Sequence, residues 1–169
     1  MRFSLRQRLG IIGIAVFAGA LLGVPNREAI LSNTSPNPND FTALFLAIIQ
    51  TSALIDLLAS IPVLGLLFIV LATQSIGVVV GVIVLDHKTI PFNALIGLTI
   101  ISVFDVTANV VAGLAGFRLM DFFESKRSHE PGKGHFYAYL KLLGVALSIA
   151  FLSALWESAL ILGMLPFGL

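Results

Sequence analysis

Five long apolar runs, almost free of charge, limit what this chain can fold into. They are Leu9–Val24, Phe41–Ala59, Pro62–Leu85, Pro91–Gly116 and about Tyr137–Leu165. A helix needs about 20 mostly apolar residues to cross roughly 30 Å of hydrocarbon. Backbone groups in lipid must be paired within the protein, so only helices and closed barrels span a membrane. The alternating strands of a barrel are missing from the pattern. The sequence therefore predicts an all-α, polytopic membrane helical bundle of about five transmembrane helices, forming a single integral membrane domain over residues 1–169. Composition agrees, with 57% hydrophobic and only 11% charged residues, against about 25% charged in a soluble domain. So few charges cannot cover a water-facing surface, and so apolar a chain is not disordered.

Breaker residues mark the expected boundaries. Pro25, Pro36 and Pro38 are expected to end the first helix and open an outer loop over 25–40, with Asn39-Asp40 capping the second. Ile61-Pro62 predicts a tight turn, and Asp86-His87-Lys88 separates the third and fourth spans. Pro91 suits a first helical turn, and Glu130-Pro131-Gly132-Lys133-Gly134 breaks the chain before the fifth span.

Basic residues orient the bundle. With five spans and a cytoplasmic N-terminus, Arg2, Arg6, Arg8, Arg118, Lys126, Arg127, Lys133 and Lys141 all fall inside, and only Arg27 and Lys88 fall outside. This distribution obeys the positive-inside rule. It predicts a multi-pass protein of the cell membrane with a cytoplasmic loop over 117–136, whose mixed charges and Leu119, Phe122 and Phe123 suit either a solvated helix extension or an interfacial segment. The basic start and the small residues Ala18-Gly19-Ala20 also fit a cleavable leader, whose loss would leave four spans. Asn33-Thr34-Ser35 reads as a glycosylation acceptor in the outer loop.

Three carboxylates lie inside spans: Asp56, Asp105 and Glu157. A charge at a helix centre costs about 2.5–3.5 kcal/mol on insertion scales, so each is expected to face the bundle interior, a watery cavity or a partner. Each has polar neighbours at helical spacing. Ser52 precedes Asp56 by a turn, Ser102 and Asn109 share a face with Asp105, and Ser153 precedes Glu157. Gln50 and Thr73-Gln74-Ser75 add further amides and hydroxyls. The expected intramembrane polar cluster is Asp56, Gln74, Ser102, Asp105, Asn109, Ser153 and Glu157. It is either a hydrogen-bonded network that fixes helix packing or a proton and cation path.

Other chemistry is sparse. No cysteine is present, which excludes disulfides, thiolate metal sites and cysteine nucleophiles. His87, His129 and His135 fall in predicted loops, Lys133 lacks the spacing of a phosphate loop, and no intramembrane histidine accompanies a serine. No catalytic residue, metal site or cofactor is expected, and a net charge of +1 gives no case for nucleic acid. Small-residue spacings at Gly19 and Gly23, at Gly77 and Gly81, and at Gly113 and Gly116 predict close helix approach, within the bundle or against a second subunit.

The last two spans resemble the stage II sporulation protein M family of integral membrane proteins. Asp105 stands at the family's acid, Gly113 and Ala115 at its small positions, and Gly116-Phe117-Arg118-Leu119 at its exit. Ser153-Ala154-Leu155-Trp156-Glu157 is similar to its later small-residue and glutamate signature, and Asn39 matches an Asn before its second helix. The family's His-Gly positions hold Ile101 and Ser102, its acid is Asp, and its proline position holds Thr107. The resemblance implies a non-enzymatic scaffold or accessory subunit of a membrane or envelope complex. Its partners would be the lipid bilayer, other membrane or envelope proteins and a possible homo-oligomer. The alternative is a small transporter or channel-like protein that uses the intramembrane carboxylates.

Overall fold

The computed structural model describes residues 3–33, 41–85, 92–129 and 131–163. All of the regular structure there is helical: α1 (Leu5–Asn33), α2 (Phe41–Ala59), α3 (Leu64–Ala72), α4 (Gln74–Leu85), α5 (Phe92–Arg127) and α6 (Lys133–Ile161). Five stretches are long and apolar enough to cross a membrane, α3 and α4 together forming one of them. The surface is apolar as well. Ile14, Phe17 and Val103 are 72%, 65% and 60% exposed, and Leu54 and Leu152 also face outward. Lipid tails accept such a surface; water does not.

The longest helix, α5, is the axis of the bundle and touches α1, α2, α3, α4 and α6. It forms an antiparallel hairpin with α6, with Gly97 against Leu160, Asp105 against Ser153 and Phe122 against Phe136. That register sets the buried Ala108 opposite Ala150 and the buried Ala112 opposite Ala146. Small side chains every fourth residue (Ala108, Ala112 and Gly116 on α5; Ala146, Ala150 and Ala154 on α6) bring the two backbones together. In lipid, dispersion across such close contacts takes over from the hydrophobic effect. Ile12, Ala15, Ala59, Ile69, Ala112 and Ala146 form the apolar core.

The second close contact joins α1 to α3 and α4, running parallel. Gly19 lies against Val70 and Thr73, and Gly23 against Gln74 and Gly77. A capping box opens α1: the Ser4 amide donates to Gln7 Oε1 at 2.8 Å, and the Gln7 amide to Ser4 Oγ at 3.3 Å.

Two features differ from the sequence expectations. Pro25 does not end the first helix, because α1 continues through it to Asn33. A proline is tolerated where neighbouring helices hold the chain, and α4 packs on Gly23 just before it. The third span is two helices, broken at Thr73. Its hydroxyl donates back to the Ile69 carbonyl at 2.7 Å, and the Ile76 amide then bonds to the Thr73 carbonyl at 3.2 Å. Such back-bonding bends helices. Residues 117–127 take the first of the two forms expected of them, a helix extension: they continue α5, which at 1.5 Å per residue is about 54 Å long and outreaches the hydrocarbon. The Asn33-Thr34-Ser35 triplet (beyond the backbone of Asn33), Asn39-Asp40, Asp86-His87-Lys88 and Pro91 lie outside the described residues.

The turn between α2 and α3 is strained. Val63 has φ 70° and ψ −60°, and the Leu64 amide donates to the Pro62 carbonyl at 2.9 Å. This is a γ-turn with a β-branched residue at its centre, a rare and costly conformation. Glycine removes the Cβ penalty, so Val63→Gly is expected to raise stability by about 1 kcal/mol. Thermal unfolding in detergent checks this, and a loss of stability would refute the strain.

Candidate functional site

Where α2, α4, α5 and α6 meet, beside the end of α3, lies a partly open cavity of about 200 Å³ that several polar side chains line among apolar ones. Ser52 and Asp56 line it from α2, Ser75 from α4, Asp105 and Asn109 from α5, and Ala150 from α6. That volume accommodates several waters. The local sequence explains why these groups point inward. On α5, Asp105, Ala108, Asn109 and Ala112 fall on one face at i, i+3 and i+4 spacing, and the alanines already commit that face to the interior. On α2, Asp56 shares the inward face with Ser52 and Ser60.

Hydrogen bonds tie part of the cluster together. Ser153 Oγ donates to Asp105 Oδ1 at 2.8 Å, which links α6 to α5. Asn109 Nδ2 donates to the Asp105 carbonyl at 2.8 Å. Two buried acceptors are left over: Asp56 Oδ2 and Asn109 Oδ1 have no partner. Asp56 is 2% exposed and Asn109 5%. A buried acceptor without a donor costs about 1–3 kcal/mol, so these two oxygens, on facing helices of one cavity, are open to a further donor.

Asp105 is the middle acid, within Coulombic reach of both Asp56 and Glu157. Glu157 stands one turn along α6 from Ser153, half-buried and beyond the cavity wall. Ser102 is buried three residues before Asp105 on α5. Gln74 is not brought to the cavity. Its backbone carbonyl lies against Gly23 on the α1 side, and the neighbouring Ser75 lines the cavity instead. The glycines fall in contacts between helices of the bundle. A Cβ on Gly113 would meet Ile69 and Ile12, and one on Gly116 would meet the Ser60 carbonyl. Gly81 is buried. The three carboxylates are strung out, and among the described residues no three His, Cys, Asp or Glu side chains gather as a metal site.

Sequence reasoning missed a second polar centre. Arg8 and Asp121 fall in segments that read as flanking positive charge and mixed-charge loop, yet they are 7% and 2% exposed. Arg8 Nη2 donates to Asp121 Oδ1 at 2.8 Å, Nε donates to the Phe3 carbonyl at 2.9 Å, and the guanidinium lies 5.6 Å from the Phe117 ring centre. Arg118 and His135 approach the other Asp121 oxygen at 3.7 and 3.9 Å. A signal was present. Gly113, Phe117, Asp121 and Ser125 recur every fourth residue, so the buried stripe of α5 runs on past the apolar segment. Beside this ion pair an apolar cavity of about 200 Å³ lies under the α2–α3 turn, lined by Phe3, Ile61, Val63, Ile69, Phe117 and Met120 among others.

The cavity thus offers oxygen acceptors and hydroxyls, and none of the residues that line it is basic. Comparison with family models, with curated proteins and with solved structures finds no match for this chain.

Proposed function

We propose that the protein is a small transporter or channel-like protein of the cell membrane that passes protons or small cations through its carboxylate-lined cavity. The observation that carries this reading is the pair of orphaned acceptors, Asp56 Oδ2 on α2 and Asn109 Oδ1 on α5, lining the cavity that Asp105 also lines. A network built only to lock helices would satisfy its own members. Here the fixed donors, Ser153 and Asn109 Nδ2, serve Asp105 and leave the other oxygens for a mobile partner. The excess of basic residues at the Arg8 end supports a cytoplasmic N-terminus.

A second reading, the non-enzymatic scaffold or accessory subunit that the sporulation-family resemblance implies, is supported by the α5–α6 hairpin. There Phe123, Phe136 and Tyr137 face outward at the end that outreaches the hydrocarbon. The glycines at 19, 23 and 77 do not favour it, because they are occupied by contacts inside the bundle.

Reconstitution into liposomes with an imposed potential separates the two. The wild type is expected to dissipate the gradient, and Asp105→Asn to lower the rate by roughly tenfold or more with helicity and gel-filtration profile unchanged. A wild type that passes neither protons, sodium nor potassium returns the scaffold as the better reading.

A further inference from the structure

Two carboxylates, Asp56 and Asp105, line one cavity from facing helices, and no basic side chain lines it with them. Most donors nearby are already committed. Ser153 Oγ donates to Asp105 Oδ1 at 2.8 Å, Ser75 Oγ to the Ala72 carbonyl at 3.1 Å, and Asn109 Nδ2 to the Asp105 carbonyl at 2.8 Å. The last bond fixes the Asn109 amide and leaves Oδ1 as its free end. Asp56 Oδ2 and Asn109 Oδ1 have no partner, on side chains that are 2% and 5% exposed. Ser52 and Ser75 add hydroxyl oxygens to the same lining. Every ligating atom on offer is an oxygen: no histidine or methionine lines the cavity, and the chain has no cysteine. Such a set suits hard cations.

We infer that this cavity binds a divalent cation of the magnesium class, held by the Asp56 and Asp105 carboxylates and the Asn109 amide oxygen and keeping part of its water shell. The inference rests on the reading of the cavity as the working site and names the ion. Charge sets the valence. With no basic group in the lining, two ionised carboxylates need two positive charges, and one divalent ion supplies both. A single monovalent ion leaves one buried charge unpaired. Ligand number sets the class. Calcium takes about six to eight oxygens, whereas magnesium keeps several waters and is held by one or two carboxylates. The cavity matches the second pattern, with two carboxylates, one amide oxygen and room for several waters in about 200 Å³. A gathering of three acidic or imidazole side chains, which the described residues lack, is not required for such an ion. The cavity is partly open, so an ion has a way in. From α6, Ser153 orients Asp105 through its hydrogen bond, as groups behind a ligand commonly do.

The test uses the full chain in detergent, with Mn²⁺ as the probe. Mn²⁺ takes the same oxygen ligands as magnesium, and its free form is counted by electron paramagnetic resonance. The wild type is expected to bind one Mn²⁺ per chain, displaced by magnesium better than by calcium and left in place by sodium and potassium. Binding is expected to weaken as pH falls, because the carboxylates must be deprotonated to act as ligands. Asp56→Asn and Asp105→Asn are each expected to weaken it by about tenfold or more, with helicity and gel-filtration profile unchanged. Asn109→Leu, close in volume, is expected to weaken it by a smaller factor. A wild type that binds no Mn²⁺, an ion displaced by sodium or more readily by calcium than by magnesium, or carboxylate variants that bind like the wild type would each overturn the site. A proton or monovalent flux that Asp105→Asn blocks would then leave the path standing. The reverse case is separated by adding magnesium to the ions of the liposome measurement. Mn²⁺ held through Asp56 and Asp105 by a protein that passes no ion keeps the site and removes the path.

Discussion

Asp121→Ala is expected to destabilise the protein by about 3–5 kcal/mol, because it leaves Arg8 charged and buried without a partner. The geometry leaves Arg8 little escape. Its Nε is held by the Phe3 carbonyl, its plane lies over Phe117, and only 7% of the residue reaches the surface. The intact pair itself carries a desolvation penalty, so its net contribution is smaller than the loss on breaking it. The double variant Arg8→Met with Asp121→Leu is therefore expected to recover most of the stability. Thermal unfolding in detergent of the wild type, Arg8→Met, Asp121→Leu and the double variant gives the coupling directly. A single-variant loss below about 1 kcal/mol, the range of an exposed pair, would mean that Arg8 reaches water when freed. Arg118 and His135 are too distant, at 3.7 and 3.9 Å from Asp121, to replace the main contact.

The same substitution at two glycines is expected to give opposite results. At Gly77 a new Cβ would collide with the Ala20 carbonyl and come 2.7 Å from Gly23 Cα. Both are backbone atoms, so α1 and α4 must separate along their whole contact. Gly77→Ala is therefore expected to cost about 2–3 kcal/mol, near the top of the usual range for overpacking. At Gly144 a Cβ meets nothing within 4 Å. Gly144→Ala is expected to be neutral or to stabilise α6 by up to about 1 kcal/mol through helix propensity. Melting temperature and the fraction of monodisperse protein measure both. Equal behaviour of the two variants would refute the close α1–α4 approach.

The separate standing of these glycines was partly legible in the sequence. The Gly19, Gly23 and Gly77 spacing announces close packing, but not its partner. The partner is set by the parallel course of α1 and α4, a relation between segments about fifty residues apart. The alanine contact of α5 and α6 was less legible still. Ala108, Ala112, Ala146, Ala150 and Ala154 are as apolar as their neighbours, so hydropathy does not single them out. Their meaning appears only once Asp105 is seen against Ser153. Pro25 and Thr73 show the converse. Chain-breaker rules gave a break at the first and none at the second; packing carried the helix through Pro25, and the Thr73 hydroxyl, bonded back to Ile69, bent the chain at the second.

The polar centre divides in the same way. That Asp56, Asp105 and Glu157 must avoid lipid follows from the cost of charge in hydrocarbon, and so from sequence alone. That Asp56, Asp105 and Ser75 line one cavity while Gln74 does not depends on helix rotation. One residue around a helix is a turn of about 100°, and only the contacts of four helices decide it. The pairing of Arg8 with Asp121 likewise joins two residues 113 positions apart, neither of which is unusual in its own segment. Hydropathy and chain breakers act within one segment, and they determined an all-helical chain with five stretches suited to a membrane. Which side chains meet is settled between segments, by the few arrangements in which small residues let backbones touch, and the cavity and the ion pair exist only there.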